Sequence, residues 1–508
     1  MLFNSIKYLF FLPIVFLIYW AIGYARINDS LKLRLQNAFV VIASYVFYGW
    51  WDWRFLILIV FTSFCSWGSG LLIEKNAQNN TECLRGGQNV LFARKFWLIV
   101  NIVLNLGILA IFKYYDFFVS EFGHIFGIST DSLLLRIILP VGISFYTFQA
   151  LSYSIDVYRG NIKPTKDIIA FFAFISFFPQ LVAGPIERAT NLLPQFLQNR
   201  KFIYDQGIDG MRQILWGLFK KIVIADNCAI YVNQVWSSYD TQSGSTLLLA
   251  AILFTFQIYG DFSGYSDIAI GTAKLFGIKL MRNFNNPYFS RDIAEFWRRW
   301  HISLTTWFRD YVYIPLGGSR PIVVEGGMLN VESKKKLIII RNTFVIFLLS
   351  GFWHGANWTF IAWGAYHAVL FLPLILLGKN RKYTNQIAEG RLLPTWKECE
   401  QILLTFILVV VGWIIFRAET IGQAWEIMKG ICNPSILSMP QCGATKMIPA
   451  ICMIILMLVV EWLQRDKQHG LEISKMHPAV RIAIVIVIVE LILFVYPPTQ
   501  SQFIYFQF

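Results

Sequence analysis

Long apolar runs recur along the whole chain and are separated by short polar stretches. Only 15% of the residues are charged, whereas the charged share of a typical soluble protein is about 25%. A helix needs about 20 mainly apolar residues to cross a membrane, and the chain contains roughly a dozen runs of that kind. Since a membrane β-barrel would show alternating segments of about ten residues instead, the sequence predicts an all-α polytopic membrane protein, with a single membrane domain over residues 1–508. The runs are Leu9–Tyr24, Ala38–Tyr48, Phe55–Leu72, Phe96–Phe112, Leu133–Tyr146, Gly210–Val232, Thr246–Ile258, Leu337–Ser350, Thr359–Leu377, Ile402–Phe416, Ile448–Trp462 and Ile482–Val495.

Basic residues are distributed unevenly between the predicted loops. The net charge of +14 would suggest a nucleic-acid partner in a soluble protein, but in a membrane protein it follows from the excess of Lys and Arg in cytoplasmic loops. With the N-terminus outside, the predicted outer loops 116–131 and 237–245 contain no Lys or Arg. The sequence thus predicts two external termini, no nucleic-acid partner and surrounding membrane lipid. We expect Leu9–Tyr24 to be a retained first span, because no small-residue cleavage site follows it.

The sequence offers no recognisable site for a metal or a nucleotide. The seven cysteines form no CxxC pair, and HExxH and Cys/His clusters are absent from the sequence. Neither Gly86-Gly87 nor Gly317-Gly318 precedes the GK[ST] of a phosphate-binding loop. Cys432 and Cys442 share a predicted external loop, where a disulfide and two unpaired thiols are equally open alternatives. We therefore expect no metal, and the sequence identifies no cofactor-binding residue.

Three segments in the middle of the chain interrupt the apolar pattern. Residues 168–185 are apolar but end in two prolines and a glycine, which predicts a re-entrant segment rather than a span. Residues 259–267 carry Asp261 and Asp267, which either line a channel or form structural ion pairs with nearby arginines. Residues 284–318 mix tryptophans with arginines and carboxylates, which predicts an amphipathic or re-entrant helix near the cytoplasmic interface.

The octapeptide Gly-Phe-Trp-His-Gly-Ala-Asn-Trp at 351–358 joins two apolar runs without a polar loop. An ionisable residue at membrane depth marks a candidate functional site, and flanking glycines indicate a broken helix. A neutral imidazole at His354 has the chemistry of a general base near neutral pH. Trp353 and Trp358 would wall the site, and Asn357 would orient a ligand. The alternative is a structural histidine that caps the broken helix.

The remaining histidines divide into three groups. His301 follows Arg298-Arg299, two cations that would hold a phosphate-bearing donor at the cytoplasmic mouth of a site; the alternative, which spacing favours, is an interfacial histidine in a basic helix. His367 lies within a predicted span, where a packed histidine bonded to a neighbour is the favoured interpretation. The others are predicted to be solvated in loops, namely His124, His469 and His477.

Six long segments of the chain together resemble the membrane-bound O-acyltransferases, in the bacterial branch whose members act on alginate and on teichoic acid. The resemblance covers residues 40–420 in order, and its motifs are long and specific. The segments are PVGISFYTFQALSYSIDVYRG (140–160), FFPQLVAGPIERATNLLPQF (177–196), QIYGDFSGYSDIAIG (257–271), FWRRWHISLTTWFRDYVYIPLGG (296–318), RN with GFWHGANWTFIAWGAYH (341–342 and 351–367) and GWIIFRAET (412–420).

The resemblance implies a helical bundle with re-entrant segments around a central tunnel, and an O-acetyltransferase that passes an acyl group across the bacterial inner membrane. The implied donor is acetyl-CoA, with no bound cofactor. The implied acceptor is an exported polysaccharide, reached directly or through an extracytoplasmic SGNH-type partner transferase. His354 matches the catalytic histidine of the family, and His301 matches its second histidine. The rival interpretation is a transporter that moves an acyl donor or glycan without covalent chemistry.

The chain ends in the aromatic tail motif 503–508, Phe-Ile-Tyr-Phe-Gln-Phe. This motif resembles the tail of a small partner protein in teichoic-acid D-alanylation, whose tyrosine is thought to carry the acyl group. By that resemblance Tyr505 is a covalent relay, since a phenol hydroxyl becomes a nucleophile when a base removes its proton. The alternative is an aromatic residue at the membrane interface.

Overall fold

The computed structural model describes residues 1–78, 87–182, 184–318, 328–441, 447–497 and 501–504. Within these ranges the regular structure is helical and includes no β-strand, so the prediction of an all-α protein is confirmed. Phe219–Ala225 and Arg309–Gly318 are wound as π-helix. The α-helices are α1 (Ile6–Tyr24), α2 (Asp29–Asp52), α3 (Leu56–Gln78), α4 (Gly87–Lys113), α5 (Tyr115–Phe126), α6 (Ile143–Arg159), α7 (Ile168–Ser176), α8 (Phe178–Leu181), α9 (Ala189–Phe196), α10 (Tyr204–Leu218), α11 (Asp226–Ser237), α12 (Gly244–Leu275), α13 (Ile293–Arg299), α14 (Ile302–Phe308), α15 (Met328–His354), α16 (Trp358–Leu376), α17 (Trp396–Arg417), α18 (Ile421–Ile431), α19 (Met447–Leu463) and α20 (Pro478–Phe494).

Fewer helices are long and apolar enough to cross a membrane than the sequence suggests. Among the described residues there are seven such stretches rather than about a dozen. The run Gly210–Val232 fails because a π-helical segment carrying Lys220 and Lys221 divides it. The run Leu133–Tyr146 fails because helix α6 begins only at Ile143. The seven stretches are Ile6–Tyr24, Asp29–Asn76, Leu91–Lys113, Gly244–Leu275, Lys336–His354, Trp358–Leu376 and Trp396–Arg417.

The described chain divides into two compact units, and the boundary falls inside α10 and α12. One unit contains residues 1–211 and 268–281, and the other contains residues 212–267 and 282–508. The single domain over residues 1–508 stays a prediction.

In the first unit, a buried polar cluster ties α3, α4 and α6 together. The Asn101 amide donates to the Ser154 hydroxyl at 2.7 Å, the Ser66 hydroxyl donates to the Asn101 side-chain oxygen at 3.1 Å, and Asn105 donates to the same oxygen at 2.9 Å. Such side-chain bonds hold helices together where the surroundings offer no other polar partner.

The segment predicted to be re-entrant also belongs to the first unit. It forms α7 and α8, which contain nine and four residues and are too short to span. Its side chains from Ala173 to Leu181 are buried. This arrangement agrees with the prediction of a segment that enters the membrane without crossing it.

In the second unit, α15 and α16 form a hairpin whose backbones touch. A Cβ atom added at Gly351 would lie 2.2 Å from the Phe360 carbonyl oxygen, and one added at Gly364 would lie 2.3 Å from the Phe347 carbonyl oxygen. Small residues permit this approach of two membrane helices. The contact fixes the C-terminal end of α15, where His354 lies.

Candidate active site

His354 is the last residue of α15, and the helical conformation is interrupted until α16 begins at Trp358. The break predicted from the sequence is therefore present. The His354 side chain is buried, and its ring meets Trp353, Trp363 and Phe416 at centroid distances of 4.8, 5.2 and 5.2 Å. The Asn357 amide accepts from the Thr359 N–H at 2.9 Å and donates to the Glu419 carbonyl oxygen at 3.0 Å. Its oxygen thus caps α16 and its nitrogen bonds to the backbone after α17, so both polar atoms are engaged within the protein.

His301 lies between α13 and α14 with left-handed backbone angles, φ 43° and ψ 54°. This conformation is costly for a residue with a Cβ atom, and such strain concentrates at functional sites. Of the two alternatives predicted for this segment, a re-entrant helix agrees better with its burial than an amphipathic helix at the interface. It consists of two seven-residue helices, and the His301 side chain is 1% exposed.

Asn283 determines which nitrogen of His301 carries the proton. The Asn283 side-chain oxygen accepts the backbone N–H of Ser303 at 3.2 Å, which identifies it as the oxygen end of the amide. The same oxygen lies 3.1 Å from His301 Nδ1, so this nitrogen must donate. Burial lowers the pKa of His301 to about 3, and the ring stays neutral. The lone pair is therefore on Nε2, which makes that atom a proton acceptor.

The rings of the two predicted catalytic histidines both contact the ring of Trp353. The ring of Trp353 lies 6.1 Å from that of His301 and 4.8 Å from that of His354. Trp358, the other tryptophan predicted to wall the site, is 50% exposed at the start of α16. The wall around the histidines is instead completed by aromatic residues that come from α13, α16, α17 and the α13–α14 junction, namely Trp297, Trp300, Trp363, Trp413 and Phe416.

The arginines before His301 are committed to internal contacts. Arg299 pairs with the buried carboxylate of Glu295 at 2.8 Å, and Arg291 pairs with the same carboxylate at 3.0 Å. Arg298 donates to the backbone oxygens of Asn380 and Tyr383 at 2.9 and 2.7 Å. These bonds hold α13 in place, so the geometry gives the arginines a structural task rather than the donor-binding task suggested by the sequence.

The other histidines are placed partly as predicted. His367 is buried against Trp297 and Trp363, as expected for a packed residue. His124 is exposed, but it lies in α5 rather than in a loop, and His477 is exposed at the start of α20. The prediction of a solvated His469 is wrong, because this residue is 4% exposed in a loop packed against Trp216.

Asp261 and Asp267 form ion pairs with lysines, not with arginines. Lys220 Nζ lies 2.5 Å from Asp267, and Lys221 Nζ lies 2.7 Å from Asp261. Sequence reasoning missed both lysines, although a pair of cations inside the apolar run Gly210–Val232 is a visible signal. Asn283 was missed as well, because nothing local in the sequence distinguishes it from the asparagines that follow.

The C-terminal segment also reaches this part of the second unit. The ring of Phe503 lies 6.0 Å from that of Phe262, which in turn contacts the ring of His301 edge-on at 4.6 Å. Tyr505 and Cys442 are outside the described residues, so the predicted relay and the Cys432–Cys442 pairing stay predictions. Within the described residues, no cluster of three His, Cys, Asp or Glu side chains has the arrangement of a metal site.

Comparison with known proteins decides the family. Residues 162–407 match the model of the membrane-bound O-acyltransferase family. A protein of Pseudomonas aeruginosa named a probable alginate O-acetylase is 39% identical over 85% of this chain and 75% of its own length. The chain belongs to the membrane-bound O-acyltransferase family. It is a multi-pass membrane protein and an O-acyltransferase.

Two further relatives show how far the similarity extends. A peptidoglycan O-acetyltransferase of Helicobacter pylori is 32% identical over 100% of this chain and 98% of its own length. A teichoic acid D-alanyltransferase of Bacillus subtilis is 30% identical over 55% of this chain and 69% of its own. Members of this family therefore include acetyltransferases and a D-alanyltransferase of cell-envelope polymers.

Proposed function

We propose that this O-acyltransferase takes an acetyl group from cytoplasmic acetyl-CoA and delivers it to a polysaccharide hydroxyl outside the bacterial inner membrane. The names of the relatives support acetylation of an exported polymer. The observation that carries the proposal is the convergence of two buried histidines, His301 and His354, on Trp353. A transporter without covalent chemistry has no need of two such bases.

In the proposed step, His354 removes the proton from an acceptor hydroxyl. The acceptor oxygen then bonds to the acyl carbon of the thioester, the carbon–sulfur bond breaks, and the thiol leaves with a proton. General-base assistance of this kind contributes about 10²- to 10⁴-fold to a rate. His301, whose Nε2 lone pair is fixed by Asn283, positions the donor or the acceptor beside His354.

The proposed first acceptor is the phenol of Tyr505, which passes the acetyl group to an extracytoplasmic SGNH-type transferase. The described residues Phe503 and Ile504 are buried, and Phe503 packs one ring away from His301. Tyr505 is the next residue in the sequence after the buried Ile504, which is why it is the tyrosine proposed as the acceptor.

Peptidoglycan is the acceptor polymer to test first. The peptidoglycan O-acetyltransferase of H. pylori matches this chain along its full length, whereas the alginate O-acetylase of P. aeruginosa matches 85% of it. Alginate is the second polymer to test, because several relatives named alginate O-acetylases share 36% identity or more with this chain.

The decisive experiment uses inverted membrane vesicles, which present the cytoplasmic face to added acetyl-CoA labelled in the acetyl group. Under the proposal, label becomes covalently attached to the protein and then to polymer hydroxyls. Appearance of intact labelled donor in the vesicle lumen, with no label on protein or polymer, would refute it in favour of transport. Vesicles without the protein give the background.

A further inference from the structure

A buried ion cluster in the second unit joins Lys221 to two carboxylates. Lys221 Nζ lies 2.8 Å from Asp226 and 2.7 Å from Asp261, and all three side chains are at most 3% exposed. The glycines of the 260–264 motif create this cluster by letting α12 approach the π-helical segment. A Cβ atom at Gly264 would lie 3.1 Å from the backbone nitrogen of Lys221 and 2.8 Å from the backbone oxygen of Gly217. We call Lys221, Asp226 and Asp261 the socket.

The C-terminal segment Ser501–Ile504 supplies the hydrogen bonds that the socket needs. The Ser501 hydroxyl donates to Asp226, Lys221 donates to the Ser501 carbonyl oxygen at 3.2 Å, and the Ile504 N–H donates to Asp261 at 2.7 Å. One ammonium group facing two carboxylates leaves acceptor positions that are costly to bury without donors. The docked segment therefore supplies hydrogen-bond donors that the three socket residues do not provide for one another.

Two further contacts fix where the docked segment enters and where it leads. Asn227, next to the socket, donates to the Val495 carbonyl oxygen at 3.1 Å and so holds the end of α20. Phe503 is fully buried against Tyr265 at 4.3 Å and Phe262 at 6.0 Å. Because Phe262 also contacts His301, docking at the socket holds Phe503 one aromatic ring away from this histidine.

A neighbouring ion pair, Lys220–Asp267, differs from the socket in its composition and in its contacts. Lys220 and Asp267 lie on the same two elements and pair at 2.5 Å, and Gln213 donates to Asp267 at 2.8 Å. This pair has one cation, one anion and an amide, and its polar contacts within the described residues involve no residue of the C-terminal segment. It provides a matched control.

We infer that Lys221, Asp226 and Asp261 are positioning residues that bind the chain's own segment Ser501–Ile504 and hold Phe503 one aromatic ring away from His301. The binding itself is independent of the chemistry, whereas its effect on activity rests on the proposed relay through Tyr505. The socket thereby assigns a role to the Gly-Asp-Phe-Ser-Gly motif and to Lys221, which acyl transfer at the histidines does not require.

The test measures docking directly with the full-length protein carrying Ile504→Cys. Residue 504 is 2% exposed in the docked state, so a maleimide should label the introduced thiol slowly; the labelled peptide is identified by mass because native cysteines are present. We expect Lys221→Met and Asp261→Asn to accelerate labelling at position 504 at least tenfold. The matched variants Lys220→Met and Asp267→Asn should label at the parent rate.

Ser501→Ala keeps the test valid if the socket variants fail to fold. It removes a donor from the half-buried C-terminal segment and leaves the buried ions in place, and we expect faster labelling here too. Unchanged labelling in every folded socket and segment variant, or equal acceleration in the Lys220 and Asp267 variants, would overturn the inference. Faster labelling with undiminished polymer acetylation would instead uphold the socket and refute the relay.

Discussion

His354 is the side chain whose removal tests the chemistry most directly. We expect His354→Ala to lower transfer to polymer by about 10²- to 10⁴-fold, because no base then takes the acceptor proton. The measurement is labelled acetyl transfer per molecule of folded, monodisperse protein. His367→Ala is the control, since it truncates another buried histidine of the same aromatic cluster and should affect thermal stability more than turnover. Near-normal turnover of folded His354→Ala would exclude this residue as the base.

At the same scale, Asn283 links the rate to pH through His301. Because burial lowers the pKa of His301 to about 3, protonation of this ring should not limit wild-type activity above roughly pH 5. Asn283→Asp keeps an acceptor for Nδ1 but adds a negative charge, which should raise the pKa of His301 by about one to three pH units. Protonation of Nε2 then begins at a higher pH than in the wild type, so the acid limb of the rate profile should shift to higher pH.

The control for this pH profile is Ser303→Ala, which removes a hydrogen bond to Asn283 and a 3.4 Å contact with His301 Nδ1 but adds no charge and leaves the Asn283–His301 bond in place. Its profile should match that of the wild type. If the acid limb of Asn283→Asp also coincides with the wild type, neutral His301 is not needed for the reaction.

At the scale of elements, the contact between α15 and α16 sets the position of His354. A Cβ atom at Gly364 would meet the Phe347 carbonyl oxygen at 2.3 Å, and a backbone atom cannot move aside cheaply. We expect Gly364→Ala to separate the two helices, to cost about 1–3 kcal/mol of stability and to reduce acetyl transfer. The check is the unfolding temperature in detergent together with the transfer rate.

Gly107→Ala in α4 is the matched control, because a Cβ atom there would meet no described neighbour within 4 Å. Its intrinsic effect should be neutral or slightly stabilising, since alanine is the better helix former. Equal unfolding temperatures for the two variants would mean that the α15–α16 contact accommodates a Cβ atom at Gly364.

The sequence predicted elements where hydrophobicity alone decides them, as in α1 and α16, and it predicted the break at Gly355 from the glycines around His354. It failed where short apolar stretches bury themselves within the protein. Helix α13 has the composition of a membrane interface, yet Trp297 and Trp300 are buried, because aromatic partners from distant helices cover them. No local pattern shows whether a tryptophan will lie at the membrane interface or be buried inside the protein.

At the scale of the whole molecule, the relay predicts that the chain modifies its own end. We expect Tyr505→Phe to leave folding and donor binding intact but to abolish polymer acetylation, because only the hydroxyl is lost. Peptide mass mapping of the wild type should find an acetyl group on the C-terminal peptide, and the variant should lack it. Full polymer acetylation by Tyr505→Phe would favour direct transfer at His354.

Whole-molecule contacts are also where sequence reasoning reached its limit. The motifs indicated His301 and His354 individually, but the partners of the socket are separated by 275 residues for Ser501 and Asp226 and by 243 for Ile504 and Asp261. Asn283 belongs to no local motif that would have marked it, and the lysine pair at 220–221 gave no indication of its partners. These roles depend on remote segments that the fold brings together, which local sequence patterns do not show.

Under the proposed mechanism, in which His354 is the base, its aromatic surroundings have a consequence for the fidelity of the reaction. A base that activates a hydroxyl activates water equally well, and water would turn the enzyme into a thioesterase that wastes its donor. Trp353, Trp363 and Phe416 pack on the His354 ring and leave it 4% exposed. Closing a site in this way excludes competing hydrolysis. The aromatic wall therefore selects the acceptor by denying access to the most abundant one.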